Sequence, residues 1–292
     1  MFIKNPCPVC EATVYSSFKK KNRTETVQSF SPSSSDFGIF FDLFKCQGCG
    51  AVFSLEYPDY ENIEAFYLNS DHEGYLAESK NRQATFRRII KLVKGYLVET
   101  KAPISLLDIG ASAGLFLHTV QEAEPTWKIS GIEASRQAVA ACKSRFGIDL
   151  IHGMLEDMPL EIHREKYDVI TMFDIIEHVQ QPLKMMQKAS ALLKVGGILV
   201  VTTPNIESWT SKILQSRWWS YRLMHNVLFS RQSMRHLMSR SSLEVVRMRG
   251  LIRLFSLGYC MKHLGWSAGA GALNLSFPLA LGDMLVFARK ID

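Results

Sequence analysis

Two cysteine pairs stand near the start of the chain, Cys7 and Cys10 in CPVC and Cys46 and Cys49 in CQGC. Four soft thiolates in two C-x2-C pairs satisfy tetrahedral zinc. They leave no open coordination position, so the expected ion is structural. The 35 residues between the pairs exceed the usual spacing. The Lys- and Ser-rich stretch KKKNRTETVQSFSPSSSD accounts for the excess as a surface loop. The two remaining cysteines, Cys142 and Cys260, stand alone and read as core or surface thiols.

A second chemical signal is LLDIGASAG at 106–114, an apolar run that meets an acid and then two glycines four apart. A strand that ends in glycines and opens a helix brings bare backbone up to a ligand. The dinucleotide pattern G-x-G-x-x-G fails here, with Ser112 and Leu115 at two of its glycine positions. The tighter spacing of Gly110, Ser112 and Gly114 suits a ligand without a pyrophosphate. Glu133 ends the next apolar run, in GIEAS, where an acid can accept hydrogen bonds from both hydroxyls of a ribose.

The elements that must carry these groups follow from periodicity. Short apolar runs at 104–109, 128–133, 149–152, 167–173, 197–203, 243–249 and 283–289 predict seven strands. Amphipathic stretches between them predict helices. One starts after Ser135 and stops at Gly147; another starts at Pro182 and stops at Gly196-Gly197. The pattern is an α/β, Rossmann-like doubly wound sheet of seven strands, the last antiparallel, behind a small N-terminal zinc ribbon. Three regions are expected: the ribbon at 1–54, a helical connector at 55–100 and the sheet domain at 101–292, with an insert at about 206–241 covering the site. In the connector, Phe86, Ile89, Ile90 and Val93 share one helical stripe.

At 292 residues and 47% hydrophobic content the chain can bury one large core and a satellite. A net charge of +6 permits an anionic small molecule, a membrane surface or RNA and selects none. The opening MFIKNPCPVC lacks the apolar core of a signal peptide. The stretch 264–281 is broken by glycines and a proline and reads as a hairpin connection rather than a membrane contact. A cytoplasmic setting with reduced thiols is expected.

LLDIGASAG, GIEAS, MLEDMPL, YDVITMFDIIEHV and LLKVGGILVVTTPN come in the order and spacing of class I S-adenosylmethionine-dependent methyltransferases, which residues 104–205 resemble. The resemblance implies S-adenosylmethionine as cofactor. Asp108, Gly110, Ala111, Ser112 and Gly114 then line the glycine loop. Glu133 holds the ribose, Ala134 packs on the adenine, and Met154, Leu155 and Glu156 border it. Phe173 and Asp174 lie under the cofactor. Two positions depart from the family pattern. Ser112 replaces the middle glycine, which is tolerable with a negative φ, and Met154 stands where many relatives carry an acid. A ribbon ahead of such a domain also resembles sugar-modifying C-methyltransferases and some ribosomal RNA methyltransferases.

Methyl transfer needs an acceptor held in line and, for a hydroxyl or acidic carbon, a base. His178 in FDIIEHV is the candidate base, with Glu177 to orient it. Tyr221 and His225, in the aromatic segment SRWWSYRLMHNVLFS, are candidates for acceptor contact; Met224 stands where related sugar enzymes have an acid. The first expectation is a small-molecule acceptor. The second is RNA gripped by the ribbon, with Lys19 to Arg23 as the basic cluster and Tyr15 and Phe18 as the only flanking aromatics. The third is a non-catalytic cofactor-binding protein.

Overall fold

The computed structural model describes residues 5–21, 38–56, 78–97, 102–257 and 275–292. The basic loop beyond Lys21, Cys260, and the greater part of 264–281 lie outside these residues.

The N-terminal region forms three short antiparallel strands, β1 (Tyr15–Lys19), β2 (Leu43–Cys46) and β3 (Val52–Ser54). Helix α1 (Ser79–Lys94) follows. It buries the expected stripe of Phe86, Ile89, Ile90 and Val93.

Strands and helices then alternate: β4 (Ser105–Ile109), α2 (Leu115–Ala123), β5 (Lys128–Glu133), α3 (Arg136–Phe146), β6 (Ile151–His152), α4 (Leu160–His163), β7 (Tyr167–Phe173), α5 (Pro182–Leu192) and β8 (Leu193–Pro204). The C-terminal part adds α6 (Trp209–Leu214), β9 (Val227–Leu228), α7 (Arg231–Ser239), β10 (Leu243–Gly250), β11 (Arg253–Ser256), β12 (Ser276–Leu279) and β13 (Asp283–Lys290). The main sheet runs β10-β13-β8-β7-β4-β5-β6, with β13 antiparallel to β8 as expected. Its central strands are buried on both faces, which is why they read as continuous apolar runs. Because β4 pairs with both β5 and β7, the chain reverses direction across the sheet there. That reversal opens a crevice at the carboxyl ends of β4 and β7.

Two local expectations are corrected. Helix α5 stops at Leu192, not at Gly196, and β8 begins at Leu193. The carbonyls of Ala191 and Leu192 accept from the N–H groups of Glu165 and Lys166, which ends the helix and starts the β7–β8 ladder at Tyr167 and Leu193. The strand expected over 149–152 shrinks to Ile151–His152, an edge pairing with β5. The hairpin expected before the last strand is present at its described ends, where β11 pairs antiparallel with β12.

The ribbon strands do not form a free-standing unit. β3 pairs with β9 of the insert, Val52 opposite Leu228 and Phe53 opposite Val227. Cys7, Val9, Cys49 and Phe53 pack in one cluster with Val227, Phe229, Met234 and Leu237. The N-terminal strands thus share one packed cluster with the segment around Val227–Leu237. Among the described residues no helix is long and apolar enough to cross a membrane.

Candidate cofactor and acceptor site

The glycine loop closes the carboxyl end of β4. Gly110, Ser112 and Gly114 all take positive φ, at 71°, 50° and 77°. Gly114 is the left-handed N-cap of α2. The N–H groups of Gly110 and Ala111 donate to the carbonyl of Ile132, tying the loop to β5. The condition under which serine is tolerable here, a negative φ, is not met, because the loop turns left-handed at Ser112 despite the side chain. What holds it is Glu133. One carboxylate oxygen accepts from the Ser112 N–H at 2.8 Å and the other from the Ser135 N–H at 2.8 Å. A left-handed non-glycine residue costs roughly 1–2 kcal/mol, against roughly 0.5–1 kcal/mol for the extra entropy glycine loses. Ser112→Gly is therefore expected to stabilise the fold by no more than about 1 kcal/mol, as urea unfolding would measure. A loss of stability would show that the Ser112 side chain has a role that the strain hides.

Asp108 lies beneath the loop, 3% exposed, and accepts from Thr171 Oγ1 at 2.6 Å. Burial pushes its carboxyl up to about 7, with the Glu133 charge adding to the rise and the Thr171 hydrogen bond opposing it. The folded state thus holds this proton more tightly than the unfolded chain. Its stabilising effect is complete below about pH 4 and is lost as the pH rises toward and past 7. Asp108→Asn keeps an acceptor for Thr171 and removes the titration. Its stability relative to the parent is expected to be roughly 2–3 kcal/mol more favourable at pH 8 than at pH 5. Equal differences at the two pH values would contradict a protonated Asp108.

The other residues expected around the cofactor divide into rim and floor. Ala134 follows Glu133, and its carbonyl lies 3.0 Å from His152 Nε2. Met154 and Glu156 are exposed, whereas Leu155 is buried in the core. Phe173 ends β7 stacked on Phe86 and edge-on to Phe116. Asp174 takes φ 57° and its N–H donates to the Thr202 carbonyl at 3.0 Å. Burial pushes the Asp174 carboxyl up, but the charge and paired hydrogen bonds of the Arg253 guanidinium, at 2.7 and 2.8 Å, outweigh it and hold it low.

Beyond Asp174 the chain makes one turn, Ile176–His178, at the lip of the crevice. It meets the insert there. The His178 and His225 rings lie edge to face with centroids 4.8 Å apart. His178 Nδ1 is 3.0 Å from the Met224 carbonyl and His225 Nδ1 is 2.8 Å from the Ser220 carbonyl. A carbonyl only accepts, so each Nδ1 carries the proton and each Nε2 keeps its lone pair. Burial lowers His178 to about 4 and His225 well below its ordinary value, so both rings are neutral at pH 7. Glu177, 1% exposed, accepts from Thr203 Oγ1 at 2.8 Å, and burial together with the Asp174 charge pushes its carboxyl well up. Glu177, His178 and His225 bring one ligand atom each within 4.8 Å of one another.

Known proteins share this fold. Residues 80–248, more than half of the chain, match the methyltransferase domain family. The chain belongs to that family. The ubiquinone biosynthesis O-methyltransferase of Actinobacillus pleuropneumoniae is 31% identical over 108 residues, 34% of this chain and 45% of the relative. The chain thus spans less than half the length of that curated relative. The plantazolicin methyltransferase, solved with S-adenosylhomocysteine (SAH), superposes with a TM-score of 0.53 at 15% identity over 78% of this chain and 93% of the other. An S-adenosylmethionine-dependent methyltransferase of Thermotoga maritima gives 0.51 at 20% identity, over 78% of this chain and 97% of the other. At these identities the structural likeness establishes the Rossmann-like methyltransferase fold.

In this methyltransferase domain the four cysteines lie together and pack against Val227, Phe229 and Met234. The Cys7 and Cys49 sulfurs are 3.7 Å apart and the Cys10 and Cys46 sulfurs 3.4 Å. Tetrahedral zinc with bonds of about 2.3 Å needs sulfurs about 3.8 Å apart, so the four residues fit the ion with little movement. Tyr221 does not join the imidazole pair. It is buried with Phe40, Leu43, Val52, Trp218 and Leu228, its ring under Lys19 Nζ, and burial pushes its phenol up to about 12. Its expected contact with an acceptor gives way to packing between ribbon and insert. Sequence reasoning missed Arg253, which clamps Asp174 and Asp283 and lacks any motif. It also missed Asn226, whose environment depends on a non-local strand pairing.

Proposed function

We propose that this methyltransferase domain transfers a methyl group from S-adenosylmethionine to a small-molecule acceptor, a nucleotide sugar or another glycan or secondary-metabolite precursor. The observation that carries the reading is Glu133, the acid that ends β5 at the chain reversal and is fixed there by the backbone amides of Ser112 and Ser135. The bound cofactor supplies an activated methyl group on a positively charged sulfur.

The chain's own residues orient and deprotonate the acceptor. Two neutral imidazoles with free Nε2 lone pairs can accept the hydrogen of an acceptor hydroxyl. With an acid constant near 4, His178 is a weak base before the acceptor binds. Its first task is therefore to hold the hydroxyl in line, and it takes the proton as the new bond forms. The relatives named O-methyltransferases support a hydroxyl acceptor. Zinc held by Cys7, Cys10, Cys46 and Cys49 stabilises the wall that carries His225.

RNA is the weaker reading. Tyr15 is packed edge-on between Phe44 and Phe53 rather than open for base stacking, and Lys20 is paired with Asp42 at 3.0 Å. The test is a screen with methyl-labelled S-adenosylmethionine against nucleotide sugars, small phenols and RNA. Label on a small molecule, abolished by His178→Ala, is the expected result. Label on RNA alone, or binding of SAH with no turnover on any acceptor, would overturn it.

A further inference from the structure

One short stretch of chain touches both the ribbon and the imidazole pair. On the ribbon side, β9 pairs with β3, and the Ser54 N–H donates to the Asn226 carbonyl at 3.1 Å. The same stretch is fastened to the end of β8, where Asn205 bridges Phe229 and the Ile206 N–H donates to the Phe229 carbonyl at 3.0 Å. On the catalytic side, Asn226 Nδ2 donates to the His178 carbonyl at 2.5 Å. Met224, two residues earlier, accepts from the His178 ring. His178 is thus held at its backbone and at its ring by residues on either side of His225.

Asn226 is 1% exposed. His178 ends a single helical turn, where a last carbonyl must look outside the turn for a donor. The Asn226 amide supplies that donor, and the Asn226 backbone belongs to the ribbon's sheet. Among the described residues, the ribbon's backbone hold on β9 is two residue pairs and one flanking hydrogen bond. β3 follows Cys46 and Cys49 directly, and their knuckle is closed by the Gly50 N–H donating to the Cys46 carbonyl at 3.1 Å. Anything that loosens the knuckle therefore loosens the strand on which Asn226 rests.

We infer that Asn226 is a positioning residue that ties the four-cysteine ribbon to His178 and His225, so that the zinc-loaded ribbon sets the geometry of the imidazole pair. The inference rests on the reading of that pair as the acceptor-orienting groups. It makes the ribbon an integral part of the site.

The experiment uses the full chain, zinc-loaded and labelled with 15N-histidine, with SAH as the probe ligand. Asn226→Asp keeps the shape and replaces the donor by an acceptor; Asn226→Ala removes the contact. The ring resonances of His178 and His225 are expected to move in both variants while those of His118 and His152 stay in place. The SAH Kd is expected to stay within twofold of the parent. With an acceptor found in the screen, kcat falls at least tenfold and the KM for the methyl donor does not. A second arm needs no substitution: stripping zinc from the parent with a mercurial and a chelator is expected to move the same two ring resonances. Unmoved resonances in folded Asn226→Asp, in the stripped parent, or a chain that takes up no zinc would each overturn the inference. Failure of the parent to bind SAH would instead sink the methyltransferase reading, and the ring shifts would still report on the link.

Discussion

Glu133→Ala is expected to weaken SAH binding by at least about 100-fold, or roughly 2.7 kcal/mol. The carboxylate does two jobs. It accepts from the N–H groups of Ser112 and Ser135, one on the glycine loop and one at the start of α3, and in the proposed complex it also takes the ribose hydroxyls. Alanine orphans two sheltered donors, at about 1–3 kcal/mol each, and releases the left-handed turn at Ser112. Hydrogen bonds to a charged acceptor are worth about 1.5–3 kcal/mol each, so losing two ribose hydroxyl contacts alone accounts for the hundredfold. Stability should fall as well, so the titration is run where circular dichroism shows the variant folded. Glu133→Gln separates the jobs, since it keeps one acceptor and turns an NH2 toward the other backbone donor. An unchanged SAH Kd in folded Glu133→Ala would mean that the ligand does not sit here.

Gly114→Ala is expected to cost about 2–5 kcal/mol of stability. At φ 77° a Cβ adds roughly 1–2 kcal/mol of backbone strain. The same Cβ would lie 2.1 Å from Cys142 Sγ and 3.2 Å from Cys142 Cβ, and Cys142 is fully buried on α3. Neither partner can retreat, because α2 is pinned by the loop and α3 is capped by Ser135 at one end and left-handed Gly147 at the other. Overpacking of this kind costs about 1–3 kcal/mol. Adding Cys142→Ala removes the sulfur and should recover most of the steric part while leaving the strain. A double-variant cycle with no coupling would show that the two helices separate instead of clashing.

Much of this was legible beforehand, and the pattern of success is physical. β4, β5, β7 and β13 lie where apolar runs put them, because strands buried on both faces leave little ambiguity of period. Ser135 and Gly147 bound α3 as capping chemistry dictates. The α5–β8 junction was misplaced because ALLKVGG is apolar on either side of the break. The hydrogen bonds that end the helix come from Glu165 and Lys166, far off in sequence. The positive φ of Ser112 was not legible because a serine alone gives no sign of the two amides that Glu133 gathers. Tyr221 read as a candidate acceptor contact because residue type does not reveal what packs on it; Phe40 and Trp218 do. The pairing of β3 with β9 was invisible for the same reason, since its register is set by partners more than half a chain apart.

That long-range pairing also bears on biosynthesis. The cysteine knuckles emerge from the ribosome well before the strand they need as a neighbour, which is made only after more than half of the chain has followed. At about 5–20 residues per second the delay is roughly ten to thirty seconds. During it the inner side of β3, with Phe53, has no β9 to cover it. Nascent chains halted before residue 227 should accordingly be the ones that recruit chaperones, and release from them should coincide with emergence of the insert.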